Sequence, residues 1–239
     1  MKIVIISDIH ANFDALSALP DSCDELWVLG DLVNYGPDPA AVVDFVRLEA
    51  RIVVRGNHDH SIGYREDPRC SPRFQEMAEV TRRYTDSVLP FGHKHFLRHL
   101  PLHVETRRGN TRFFLCHAIP SDPLFGYCEA QSPRWLAEVE NASADVILVG
   151  HTHVPAVRSI GQCMVVNPGS LGQPKTGNPQ ACYAVWDDGA VELKSFPYSV
   201  EATVSKVQAM PIAPDLKSEL SMILRTGVIP DSQTQNHTR

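Results

Sequence analysis

Residues 1–10 read MKIVIISDIH, a short β-branched run from Ile3 to Ile6 that breaks into Ser7, Asp8 and His10. The same arrangement recurs down the chain. ELWVLG (25–30) runs into Asp31, ARIVVRG (50–56) into Asn57-His58-Asp59, TRFFLC (111–116) into His117, and ADVILVG (144–150) into His151-Thr152-His153. Continuous Val/Ile/Leu runs of this length mark strands buried on both faces, hence sheets covered by helices. DALSALPDSCDEL (14–26) and DPAAVVDFVRLEA (38–50) carry helical periodicity between the first strands. Alternating strand and helix predicts βαβ units, whose ligands bind beyond the carboxyl ends of the strands. Each polar cluster falls there. CMVVNPGS (163–170) and CYAVWDDGAVELKSF (182–196) follow, and Asp188-Gly189 reads as a hairpin turn, so antiparallel strands also take part.

The chain has 239 residues, 43% of them hydrophobic and 21% charged, with a net charge of -6. That length buries one sizeable core. The acidic balance argues against stable nucleic-acid binding by phosphate neutralisation. It leaves room for a small phosphate-bearing substrate, because bound cations can dominate the local charge of a site. The cysteines at 23, 70, 116, 128, 163 and 182 form no Cys-x-x-Cys pair and read as free thiols of a reducing compartment. The first apolar run is too short for a signal peptide, and no segment approaches the roughly 20 apolar residues of a membrane span. The expected location is the cytoplasm.

Residues 60–105 interrupt the rhythm with Pro68, Pro72, Pro90 and Pro101 and the helical stretch SPRFQEMAEVTRRYTDSVL (71–89). They read as a helical insertion over the site. The expected organisation is a single domain over 1–208, then 209–239 with one helix, DLKSELSMILRTG (215–227), and a polar end, SQTQNHTR (232–239).

Asp8 and His10 sit two apart, so on a regular strand they would share one face, and at a strand end they can chelate one ion; His151 and His153 repeat the spacing. With Asp31, Asn57 and His117 they supply carboxylate, carboxamide and imidazole donors and no thiolate. Such donors suit Mn, Fe, Zn or Co. Seven ligands exceed one tetrahedral ion and suit two ions sharing a carboxylate. Singly each motif is ordinary: Asp-x-His reads as a cap or turn, and Gly56-Asn57 as a tight turn at positive φ. Together they define a dimetal ligand set. The His93, His95, His99 and His103 run reads as an exposed face of the insertion, Arg82 and Arg83 as solvated, and Lys175 as a cation in a Gly/Pro-rich loop near the site.

SDIH, GDLV, GNHD, the histidine after FFLC, and GHTH, in that order, resemble the calcineurin-like metallophosphoesterases across residues 1–195. NPGSLGQPK (167–175) further resembles their small bacterial, phosphodiesterase-like branch. The resemblance implies an α/β fold of two facing mixed β-sheets flanked by helices, with two divalent transition-metal ions at one end. Manganese leads among Mn, Fe, Zn, Co and Ni. It also implies Asp8, His10, Asp31 and His153 as one metal site and Asp31, Asn57, His117 and His151 as the other, bridged by Asp31. His58 matches the family's non-ligand catalytic histidine. The implied activity is metal-dependent hydrolysis of a phosphoric ester by activated water.

Departures refine the expectation. Where the family's protein phosphatases carry Asp and Arg, this chain has Asn34 and Tyr35, and Asp59 stands where they carry Glu. Without the guanidinium fork, a small, nucleotide-like diester or phosphoanhydride fits better than a phosphomonoester. The alternatives are a phosphomonoesterase or protein phosphatase, and a non-catalytic scaffold of the same fold. The retained ligands and His58 speak against the scaffold.

Overall fold

The computed structural model describes residues 1–228, so the polar end at 232–239 lies outside the described residues. In chain order, β1 (Lys2–Ile6) leads through α1 (Phe13–Ser17) to β2 (Glu25–Val28), and α2 (Pro39–Glu49) leads to β3 (Ala50–Val53). Then come α3 (Asn57–Tyr64), α4 (Pro72–Val88) and α5 (Phe91–His99). β4 (His103–Arg108), β5 (Thr111–Cys116), α6 (Trp135–Ala142), β6 (Val146–Leu148), β7 (Ala156–Ile160) and β8 (Cys163–Asn167) follow. β9 (Ala181–Asp187) and β10 (Ala190–Phe196) make a hairpin, and α7 (Val200–Ala209) and α8 (Pro214–Thr226) close the described chain.

The strands form two five-stranded sheets, ordered β10-β9-β1-β2-β3 and β4-β5-β6-β8-β7. In each, three neighbouring strands run parallel, β1-β2-β3 and β5-β6-β8, and the rest are antiparallel. The two facing mixed sheets expected from the sequence are present. Alternate residues of one run face opposite layers. Ile3 and Ile5 meet Trp27, Phe113, Leu115 and Trp186 between the sheets, while Val4 and Ile6 pack outward with Val42, Val43 and Val46 of α2. β5 repeats this, with Phe113 inside and Phe114 outside with Trp135 of α6. Two-sided burial is why these runs lack polar alternation. Phe113 locks the sandwich centre through edge-to-face contacts with Trp27 at 5.0 Å and Trp186 at 5.3 Å.

Several elements differ from the sequence expectation. The periodicity of 14–26 yields only the five-residue α1, capped by the Asn12 side chain on Ala15 N–H; Pro20 and the pre-proline restriction on Leu19 prevent extension. The segment 60–105 does not act as one insertion. α5 buries Leu97 and Leu100 with Ile62 in the core beneath the first sheet. Met77 and Ala78 of α4 instead pack against α7 and α8 through Val204, Leu220 and Ile223. His103 already belongs to β4. Asp188 (φ 44°) and Gly189 (φ 99°) form the expected hairpin turn. No helix among the described residues is long and apolar enough to cross a membrane, and all six cysteines are free.

The exits of β2 and β3 approach closely at two glycines. Gly30 has φ 90°, and a Cβ there would lie 2.5 Å from the backbone nitrogen of Gly56. A Cβ on Gly56 would run into the Asp31 side chain. The Asp59 carboxylate then ties both exits together, accepting from Asp31 N–H (2.8 Å), Leu32 N–H (2.8 Å) and Gly56 N–H (3.0 Å). Gly30→Ala should therefore destabilise the protein by at least about 1–2 kcal/mol, lowering Tm by roughly 4 °C or more, and should reduce bound metal. Calorimetry showing an unchanged Tm would refute the packing argument.

Candidate metal centre

The sequence-predicted residues gather at the carboxyl ends of β1, β2, β3, β5 and β6. The backbone that delivers them is unusual. Asp8 (φ 53°), His10 (47°), Asp31 (54°), His151 (66°) and His153 (61°) are all left-handed, a region sparsely used by residues other than glycine. Each costs on the order of 1–3 kcal/mol and persists only where the surroundings over-determine it. They do so here. Asp8 N–H donates to Gly30 O (3.1 Å), His10 N–H to Asp31 O (3.0 Å), Leu171 N–H to Ser7 O (2.9 Å) and Gly172 N–H to Asp8 O (3.1 Å). Asp8 and His10 thus converge through a turn beyond Ile6, at the end of the strand and off its regular pleat. GNHD is no positive-φ turn: Gly56 is the extended residue before α3 and Asn57 its first residue.

Two clusters result, Asp8 with His10 and His153, and Asp31 with His117 and His151, each with ligand atoms within 4.8 Å of one another. The Nδ1 atoms of three histidines meet backbone carbonyls: His10 at Val33 O (3.1 Å), His117 at Leu29 O (2.8 Å) and His153 at Gln173 O (2.7 Å). A carbonyl only accepts, so Nδ1 carries the proton and Nε2 faces the site. Burial holds His10 and His153 well below the usual imidazole range, so both are neutral. Their Nε2 atoms stand 3.1 Å apart, lone pair toward lone pair. Asp8 Oδ1 lies 3.3 Å from His153 Nε2 and 3.9 Å from His10 Nε2, buried and without a hydrogen-bond donor. Three acceptors converge with nothing to donate to them. A cation would satisfy all three: ligand atoms 2.0–2.2 Å from one ion sit roughly 3 Å or a little more apart, as two of these separations do, the third being 3.9 Å.

The second cluster has the same chemistry. Asn57 donates its amide to Pro68 O (2.7 Å), which turns Oδ1 toward His117 Nε2 at 3.1 Å. Asp31 Oδ2 lies 3.3 Å from His117 Nε2 and 3.8 Å from His10 Nε2, between the clusters. Burial opposes ionisation of Asp31, but the surrounding imidazoles, His117 first, hold its carboxyl well below the usual range. Burial equally opposes charge on His117, and Asp31 overrides it, raising His117 to about 9. The position that draws a proton onto His117 would draw a cation for the same reason. Burial pushes His151 down to about 3, leaving a neutral imidazole. Burial, then the Asp31 charge, pushes Asp8 up to about 6 and Asp59 to about 7, against the three N–H donors that favour the Asp59 carboxylate.

His58 stands beside both clusters. Its Nδ1 meets Asn34 Nδ2 at 3.0 Å, so the ring accepts there and carries its proton on Nε2. Ser61 Oγ accepts from the same amide at 3.3 Å and fixes its orientation. Burial lowers His58 to about 4, keeping it neutral. The Tyr35 hydroxyl is 3.5 Å from Cys70 Sγ, which is 3.5 Å from His58 Nε2.

The centre opens into a cleft of about 600 Å³. Its walls include Arg69, Cys70 and Phe74, from the 60–105 segment expected over the site, and Phe125 and Tyr127, for which no sequence signal exists. Lys175 also lines it, with Nζ 4.6 Å from the Phe74 ring centroid; the Arg69 guanidinium lies 4.3 Å from that of Phe125. The histidine run does not gather: His93 pairs with Asp44 (2.9 Å), His95 packs on His99, and His103 stacks on Phe114. Arg82 is bound to Glu79 at 3.0 Å.

Residues 1–188 match the model of the calcineurin-like phosphoesterase superfamily domain. An uncharacterized protein of Methanocaldococcus jannaschii is 30% identical over 227 residues, covering 86% of this chain and 91% of that protein. Phosphodiesterase YfcE of Escherichia coli is 27% identical over 211 residues, covering 81% and 91%. The crystal structure of a metallophosphoesterase from Sphaerobacter thermophilus superposes with a TM-score of 0.79 at 29% identity, covering 95% of this chain and 99% of that one. With these matches over a site of this chemistry, the chain belongs to the calcineurin-like phosphoesterase superfamily.

Proposed function

We propose that the protein hydrolyses a small, nucleotide-like phosphodiester or phosphoanhydride with the help of two divalent cations. The observation that carries the reading is the convergence of Asp8 Oδ1 and the Nε2 atoms of His10 and His153 with no donor among them. Asp8, His10, Asp31 and His153 would hold one cation, and Asp31, Asn57, His117 and His151 the other. Asp31, whose Oδ2 lies between the clusters, would be the ligand common to both. Cations held there would supply a lowered water pKa and neutralisation of phosphoryl charge. The oxygen and imidazole donors make Mn the ion to test first, then Fe, Zn, Co and Ni. Free cysteines suit the inferred cytoplasmic setting.

The chain's own part is positioning and proton transfer. His58, held by Asn34, presents Nε2–H to the cleft as a neutral donor for the leaving oxygen. Tyr35 turns its hydroxyl to Cys70, and burial raises its pKa, so it brings no charge where a phosphatase would bring a guanidinium. Lys175 supplies a single point charge, which matches one anionic oxygen better than a dianion needing a fork.

Three measurements bear on this. Metal analysis should find about two ions per chain, and Asp31→Ala should lower this to one or none and abolish turnover; two retained ions with full activity would remove Asp31 from the bridging role. His58→Gln should keep the metals and cut kcat about 10²-fold or more, with a smaller loss for good leaving groups such as nitrophenolate. An equal penalty on good and poor leaving groups would contradict proton donation. Finally, kcat/KM should be higher for bis-nitrophenyl phosphate than for nitrophenyl phosphate. Tyr35→Arg should shift the ratio toward the monoester, and Lys175→Met should lower diester turnover roughly tenfold. A wild-type preference for the monoester would sink the diester assignment.

A further inference from the structure

Beside the cleft lies a second cavity of about 290 Å³, and the two share Tyr127, Thr152 and Val154 as a common wall. Its interior is apolar, with Trp135, Val149 and Val165 all buried. The outer lip is pinned by the chain itself. Trp135 Nε1 donates to Glu129 O (3.1 Å), and Arg158 Nη1 donates to Ala130 O (2.9 Å) and Ser132 O (2.6 Å). These bonds fix the lip loop independently of any ligand. Tyr127, 60% exposed, places its ring 6.0 Å from that of His151. An uncommitted aromatic face therefore stands where the metal cluster meets the apolar cavity. The ligand that suits this pair of compartments has an anionic end and a flat, mostly apolar end, joined by a short polar linker.

We infer that the second cavity is a nucleobase subsite, an assignment that rests on the phosphoesterase reading of the neighbouring centre. The phosphoryl group lies at the Asp/His clusters, the sugar passes Tyr127 and Thr152, and the base packs against Trp135, Val149 and Val165. A base fits better than an acyl chain for two reasons. The volume is at the small end of the roughly 300–1,000 Å³ of ligand pockets, whereas a chain needs an extended groove. The lining also includes the polar residues Glu129, Gln131 and Asn167, a chemistry that suits the polar edge of a base better than an alkyl group.

Calorimetric titration of the Mn-loaded protein with AMP and with ribose 5-phosphate, each checked for released phosphate, tests this by binding. AMP should bind roughly tenfold or more tightly, as base stacking on aromatic and apolar walls implies. Ala156→Trp, which fills the cavity from β7, and Tyr127→Ala should each erase most of that advantage. Equal wild-type affinity for the two ligands overturns the subsite, and so does an AMP advantage that survives both substitutions. Octyl phosphate binding more tightly than AMP would give the cavity to an aliphatic chain and overturn it too. A protein that prefers AMP in this way yet hydrolyses neither bis-nitrophenyl phosphate nor any nucleotide ester keeps the subsite and loses the hydrolase reading.

Discussion

Two imidazole nitrogens facing each other at 3.1 Å, with a donorless carboxylate oxygen beside them, are the constraint around which this molecule is arranged. A buried acceptor without a donor costs about 1–3 kcal/mol, a large fraction of the 5–15 kcal/mol by which a protein of ordinary stability stays folded. The sandwich core must hold this arrangement against its own repulsion. It does so through backbone carbonyls: Val33, Leu29 and Gln173 each take an Nδ1–H and so aim an Nε2. The imidazoles are oriented by backbone, which cannot swing away as a side-chain partner could.

Asp59 shows how the two sheet-edge loops become one rigid body. A carboxylate one methylene shorter than Glu accepts three N–H groups from the exits of β2 and β3. Asp31 is thereby fixed from its own backbone as well as from its side chain, which accepts the His58 N–H at 2.9 Å. His58, Asp59 and Asp31 are therefore held as one unit, and the GNHD sequence is a clamp of which the candidate ligand Asn57 is only one part.

The legible part of the sequence was the part shaped by two-sided burial. Ile3 to Ile6 and Phe113 to Cys116 face a layer on each side, so their strands read as unbroken apolar runs and their ends could be located. β4 and β7 alternate exposed and half-buried residues at the sheet edges, and HVETRR and AVRSI carry no comparable signal. The donor set was also legible, because coordination chemistry demands particular residue types. That Asp8 and His10 meet at a strand end was legible too, but the left-handed turn that brings them together was not, because tertiary hydrogen bonds impose it. The cleft walls were least legible. Phe74, Phe125 and Tyr127 are ordinary aromatics in three unrelated segments, brought together only by the folded loops.

The left-handed backbone at the centre has a consequence for what the site can become. Among residues with a side chain, Asn, Asp and His tolerate that conformation best, and two of those three are the candidate ligands here. Coordination and backbone geometry therefore select the same short alphabet at Asp8, His10, Asp31, His151 and His153. A lineage without this chemistry would still be held there to residues that accept left-handed backbone, as Ala11 (φ 52°) and Tyr35 (φ 61°) do beside them, since Val or Ile would strain the loops most. Descendants without chemistry would keep the outline of the centre long after losing its use, and a motif match alone would overstate how many of them are enzymes.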